Sequence, residues 1–213
     1  MDSLGMLPLR MGPERVSLSS VRAFSYGGGV QSTAALVLAA RGALDYQLFL
    51  FANTGDDSEH PDTLKYVREV AQPYADEHGI ELVTLQKIRR TGERDTLAAR
   101  IARGTTTVPI PMRMDKSGAP GNRACTDEFK IRVISKELRR RGATKDNPAS
   151  IGLGITIDEW QRMRTPFDPR QPHQLREYPL IDLRLDRQQC LNAIDRKSTR
   201  LNSSHVSESR MPS

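Results

Sequence analysis

Three consecutive glycines, Gly27, Gly28 and Gly29, interrupt two apolar runs in the stretch Ser25-Tyr26-Gly27-Gly28-Gly29-Val30-Gln31-Ser32. Glycine takes left-handed dihedrals without a Cβ penalty and lets the main chain approach a ligand closely. Where a helix begins directly after such a turn, its unpaired N–H groups and the positive end of its dipole favour an anion. The chemistry this spacing suits is phosphate binding, with the hydroxyls of Ser25 and Ser32 and the amide of Gln31 as further donors. No GxxxxGK[ST] occurs and the turn is not GxGxxG, so the Walker and dinucleotide readings both fail. A glycine turn with no ligand is the plain alternative.

Three other groups carry chemistry. Asn53, Thr54, Gly55 and Glu59 belong to the polar run Asn53-Thr54-Gly55-Asp56-Asp57-Ser58-Glu59. They suit hydrogen bonds to a nucleotide, or equally the capping of a following helix. Arg123 and Lys130 flank Cys125 and place two cations near a substrate anion. Cys125 is either a cluster ligand or a small buried thiol, because one cysteine makes no metal site. Asp158, Glu159 and Arg162 follow the apolar run that ends at Gly154 and Ile155. There a carboxylate, Asp158 first, would hold a magnesium ion or a water, and Arg162 or Arg164 would pair with phosphate. An ordinary helix with acidic start and basic continuation fits the same residues.

The elements that must position these groups are readable in order. Ser20 to Phe24 alternates like a strand, and Thr33 to Ala40 is rich in helix formers and stops near Arg41-Gly42. Tyr46 to Ala52 is almost continuously apolar, as in a strand buried on both faces of a parallel sheet. A helix with Leu64, Val67, Val70, Ala71 and Tyr74 on one side follows, with His78 at its end, then a strand over Gly79 to Leu85 and a helix from Asp95. Gly104 to Gly121, carrying Arg113 and Lys116, has the length and composition of a lid. The next helix would turn Ile131, Ile134 and Leu138 inward and Lys130, Arg132, Lys136, Arg139, Arg140 and Arg141 outward, with Thr126 or Asp127 as cap. A fourth strand over Ser150 to Ile155 and a helix from Arg187 complete an α/β class: a twisted, mainly parallel sheet with helices on both faces.

Of the 213 residues, 37% are apolar and 27% charged, which is ordinary for a globular domain. No apolar run reaches the roughly 20 residues of a membrane span, no secretory signal opens the chain, and two cysteines make a disulfide framework improbable. These features imply a cytoplasmic protein without a membrane partner. Residues 1 to 19 read as a loose leader and 20 to 194 as one nucleotide-binding domain. From Asp195 to Ser213 the pattern is lost, and this tail resembles a translated short-read sequencing adapter, whose codons can be written beneath Asp195 to His205 and Glu208 to Ser213. On that reading the natural C-terminus is missing. Without the tail's Arg196, Lys197, Arg200 and Arg210 and its Asp195 and Glu208, the net charge of +6 drops by two, a modest excess suited to an anionic substrate.

Gly28-Gly29-Val30-Gln31-Ser32 resembles the pyrophosphate loop, SGGxxS, of the adenine nucleotide alpha-hydrolase superfamily, with Gly27 where that family has its first serine and Ser25 two residues upstream. Three further segments, in order, resemble its phosphoadenosine phosphosulfate (PAPS) reductase-like branch: Asn53 to Tyr66 its "DTG…E…P.T..Y" with Asn53 for aspartate, Arg123 to Ile131 its "R.CT..FKI", and Gly154 to Arg162 its "GI..DE..R". Tyr178-Pro179-Leu180-Ile181 resembles its "YPLI" run. The resemblance implies a Rossmann-like three-layer sandwich. It also implies an enzyme that binds ATP or a PAPS-like nucleotide over Gly27 to Ser32 and cleaves ATP between the alpha and beta phosphates for adenylation or sulfur transfer, with Mg2+ a candidate. Sulfonucleotide reduction is the alternative, and so is a binding module that docks nucleic acid on the basic helix. A sulfur carrier or nucleic acid would be the acceptor, and cysteines beyond the YPLI run would supply an iron–sulfur or zinc site in the intact protein. Cys190, in a helical setting, reads as structural.

Overall fold

The computed structural model describes residues 21–104 and 126–201, with side chains as far as residue 195. Arg113, Lys116, Arg123 and Cys125 lie outside the described residues, as does the expected leader, residues 1–19.

Strand β1, Arg22–Tyr26, has alternating neighbours: Phe24 and Tyr26 enter one apolar cluster and Ala23 the other. This is the period-two consequence of the pleat. After the glycines comes α1, Val30–Ala40, whose alanines and Leu36 are buried against the Phe24 and Tyr26 side. Strand β2, Leu48–Asn53, is buried at every position, as its apolar run predicts for a central strand. A bent helical segment follows: α2, Pro61–Tyr66, a π-helical turn at Val67–Ala71, and α3, Gln72–Glu77. His60 caps α2, its Nδ1 accepting from the Asp62 N–H at 3.2 Å. His78 ends α3, as expected.

Strand β3, Glu81–Ile88, begins two residues later and ends three later than the sequence suggests, and pairs with a two-residue strand β4, Arg94–Asp95. Helix α4, Leu97–Ala102, is capped by the Thr96 hydroxyl, which accepts from the Ala99 N–H at 3.1 Å. A π-helical turn, Thr126–Ile131, continues into α5, Arg132–Arg140. Ile134 and Leu138 are buried as expected, but Ile131 is 38% exposed, because the π turn rotates it off the apolar stripe. Then come β5 at Ala149–Leu153, a 3-10 turn at Ile157–Arg162, β6 at Gln174–Glu177, α6 at Pro179–Asp182 and α7 at Arg187–Leu201.

The six strands order as β4-β3-β2-β1-β5-β6, all parallel except β4. Phe24, Tyr26, Phe49 and Phe51 form the core on one face with α1, the α2–α3 segment and Leu180 and Cys190 from the C-terminal helices. Ala23, Leu48, Leu50 and Ile151 meet α5 on the other. The result is an α/β, Rossmann-like arrangement with helices on both faces. Phe24 is fully buried and stacks on Phe49 at 5.2 Å between ring centroids. Truncating such a ring to alanine costs about 3–5 kcal/mol. The chain runs outward from β1 through β2 to β3 and then returns to place β5 on the other side of β1. The crevice between the carboxyl ends of β1 and β5 is therefore a topological switch point, where open α/β sheets bind ligands. Among the described residues no helix is long and apolar enough to cross a membrane.

Candidate functional site

The glycine loop leaves β1 at this switch point. Gly28 has φ +72°, and a Cβ there would sit 2.7 Å from Thr63 Cγ2, so the position requires glycine on both counts. Gly27 and Gly29 differ: a Cβ on either would meet nothing within 4 Å. The loop is thus anchored at its middle residue and open on both sides. Gly29 is the N-cap of α1 and no side chain caps it, nor does any acidic residue sit in the first turn. The first-turn N–H groups of α1 therefore have no side-chain cap among the described residues.

The structure divides the expected phosphate ligands. Ser32 is buried and its hydroxyl donates back to the Gly29 carbonyl at 2.9 Å, bracing the loop from within. Ser25 lies inside β1, and alternation turns it to the α5 side, away from the Phe24 and Tyr26 face, where it lines a neck with Ile131 and Ile134. Gln31 reaches across the crevice and donates from Nε2 to Glu159 Oε2 at 3.5 Å. Gly154 packs against the same turn: a Cβ there would lie 3.3 Å from Gln31 Cβ and 3.4 Å from the Ser32 nitrogen. Gly27 to Ser32, Gly154, Glu159 and Arg162 are brought together.

Asp158 and Glu159 part company in the 3-10 turn. Glu159 accepts from Arg162 at 2.7 Å as well as from Gln31, and so faces the crevice. Asp158 turns toward the start of α7. Its carboxyl is held below the usual range, first by the Thr156 hydroxyl and then by its own and the Arg187 backbone N–H groups. Among the described residues no group of three His, Cys, Asp or Glu side chains could hold a metal. Cys190 is fully buried and burial pushes its thiol up to about 11, as for a structural cysteine.

The loop after β2 is built in the opposite way. Asn53 is 3% exposed; its Nδ2 donates to Asp56 at 2.7 Å and its Oδ1 accepts from the Gly55 N–H at 2.8 Å. The Thr54 hydroxyl donates to Glu59 at 3.1 Å, and Lys130 Nζ pairs with the same carboxylate at 3.3 Å. Gly55, at φ +129°, is wedged where a Cβ would come within 2.5 Å of Asp57 Oδ1 and Thr96 Cβ. Thr96 donates to Asp57 at 2.9 Å and Ser58 Oγ accepts from the Ala98 N–H at 2.9 Å, which fastens α4 to this loop. Asn53, Thr54, Gly55, Glu59 and Lys130 thus assemble with one another. Thr63 and Val67 carry this side of the sheet to Gly28, and Val67 also lines a cleft of ≈ 420 Å³ with Phe51, Asn53, Leu64 and Gln72.

Sequence reasoning missed an ion network beneath the π turn and a cleft beyond it. Lys87 pairs with Asp95 at 2.9 Å and Glu128 at 2.5 Å, and Arg103 with Asp95 at 2.6 Å. Burial works against ionisation of Asp95, but the hydrogen bonds from Arg103 and Lys87 prevail and keep its carboxyl below the usual range. No local pattern signals this network, since its members lie on β3, β4, α4 and the π turn. On the basic helix, Arg140 is bound to Glu137, and Arg141 to both Glu137 and Glu81. Two of the cations expected to face outward are therefore already neutralised by neighbours. Compared with known proteins, the chain matches no family model and no curated protein.

Proposed function

We propose that the chain is an adenine-nucleotide-binding enzyme of the PAPS reductase-like kind, cleaving ATP between its alpha and beta phosphates for adenylation or sulfur transfer. The observation that carries this reading is the uncapped start of α1 at the point where the strand order reverses, with Gly27 and Gly29 open to the ligand side. Backbone N–H groups there would receive the beta and gamma phosphates. The cleft that Val67 shares with Phe51 and Leu64, and with the polar Asn53, Asp56, Arg68, Gln72 and Thr84, offers a base both apolar contact and hydrogen-bonding groups.

In the reaction, an acceptor nucleophile attacks the alpha phosphorus. The new bond forms as the bond to the bridging oxygen breaks, and pyrophosphate leaves with the electron pair. Charge then grows on the pyrophosphate, where preorganised N–H donors lower the barrier most. Arg162, paired with Glu159 and with 61% of its side chain exposed, would exchange that partner for a phosphate oxygen. Catalytic candidates are thus Glu159 and Arg162, with Asp158 as a positioning residue that ties the turn to α7. Buried Cys190 offers no thiolate at neutral pH, which favours nucleotide cleavage over sulfonucleotide reduction at that residue.

The test is equilibrium binding of ATP followed by pyrophosphate release. Binding with release supports the reading, and Arg162→Gln should lower kcat by roughly 10²-fold with little change in affinity. A chain that binds no adenine nucleotide removes it.

A further inference from the structure

On the sheet face opposite α1, α5 covers β2 and β3, and a cleft of ≈ 670 Å³ opens between α5 and the chain entering β6. Four arginines line it: Arg132 and Arg139 on the α5 wall, Arg170 and Arg176 on the other. Its two carboxylates, Asp127 and Asp168, pair with three of the four and leave an excess of two positive charges. Asp168 accepts from Arg170 at 3.2 Å and from Arg176 at 2.7 Å, and Asp127 from Arg132 at 2.7 Å. Arg139 donates only to the Ser135 carbonyl, at 3.4 Å, and pairs with no described carboxylate. Beneath it, the Ser135 hydroxyl and His173 Nε2 are hydrogen-bonded at 2.6 Å, both buried. Burial first, then the Arg139 charge, lowers the His173 pKa below its usual value.

The cleft continues inward. Ile131, Gln171 and Arg176 are shared with a narrow neck of ≈ 100 Å³ that reaches Ser25 near the carboxyl end of β1, between the apolar side chains of Ile134, Ile151 and Leu153. Gln174 is 7% exposed in this neck; its Nε2 donates to Gln171, while its Oε1 has no donor among the described residues. A buried acceptor left unpaired is destabilising, so the neck favours a ligand that brings an N–H or O–H.

We propose that this groove binds a phosphorylated small molecule, its phosphate between Arg139 and the arginines of the facing wall, its apolar body in the neck and a hydrogen-bond donor on Gln174. A carboxylate offers two oxygens in one plane, whereas a phosphate offers three around a tetrahedron and can accept from both walls of the cleft. The groove ends beside β1 behind the glycine loop. The ligand is therefore the second substrate of the proposed nucleotide reaction; that role rests on the nucleotide reading, while the anion site itself does not.

The test uses the full chain labelled for NMR, with inorganic phosphate as probe and acetate as the planar control. Phosphate should shift the His173 imidazole resonances saturably, with at least tenfold weaker affinity in Arg139→Gln and a weaker response to acetate. Arg132→Gln, at a side chain 71% exposed, should weaken phosphate severalfold without disturbing the fold. Equal phosphate affinity in wild type and both variants, or no shift at His173, overturns the site. ATP titrated in parallel, read at the Gly28 amide, separates the two ideas: a His173 response to phosphate without ATP binding keeps the cleft and rejects the nucleotide reading.

Discussion

The loops that follow β1 and β2 stand side by side at the same edge of the sheet and are opposites in construction. The residues around Asn53 and Gly55 satisfy one another and fasten α4 and the π turn, leaving little for a ligand to replace. At Gly27 and Gly29 an added Cβ would meet nothing within 4 Å among the described residues, and the helix behind them starts without a side-chain cap. A helix N-terminus in a folded protein normally finds a partner, and under the proposed function the open loop would find it in the nucleotide while the closed one holds it in place.

Substitutions can break this contrast. Gly55→Ala should be the most damaging, with about 3–4 kcal/mol lost in chemical denaturation, because positive φ and two contacts of 2.5 Å coincide there. A loss below about 1 kcal/mol would mean the second loop is not the rigid partner. Asn53→Ala should follow at about 2 kcal/mol, since it strands the buried Gly55 N–H. Gly28→Ala should cost about 1–2 kcal/mol for the left-handed backbone. Gly27→Ala should stay within about 0.5 kcal/mol of wild type, and yet both alanines should weaken ATP at least tenfold. If Gly27→Ala binds ATP normally, the open side of the loop is not the phosphate side.

The smallest expected effect concerns pH. The Ser58 hydroxyl first, and then the Thr96 hydroxyl, hold the Asp57 carboxyl below its usual range. A depressed carboxylate contributes stability that is complete above the unfolded pKa of about 3.9 and is lost as pH falls through the folded value. Thermal melts at pH 5 and pH 3 should therefore fall slightly less in Asp57→Asn than in wild type. The glycine loop, carrying no titratable group, should show no such term. Identical acid sensitivity in the two proteins would place Asp57 outside the loop's hydrogen-bond network.

Much of the sheet was legible because its signals are local. Burial of β2 on both faces follows from an unbroken apolar run, and the glycine turn from residues that only a strained or closely approached backbone requires. Strand β6 was missed because Gln174-Leu175-Arg176-Glu177 has no strand composition; it exists through its pairing with β5. The same limit applied to Ile131, where a π turn shifted the helical phase by a residue, and to the arginine cleft, whose walls come from segments far apart in the chain.

By itself the sequence determined that a strand, a glycine turn and a helix would follow one another, because backbone conformation is governed largely by the residues at each position. Only the tertiary structure decided which side chains share that place. It turned Ser25 to the far face, set Glu159 against Gln31 while sending the adjacent Asp158 to α7, and packed Gly154 onto the first turn of α1. Those choices depend on strand order and helix packing, which bring together residues more than a hundred positions apart, and no local preference encodes them.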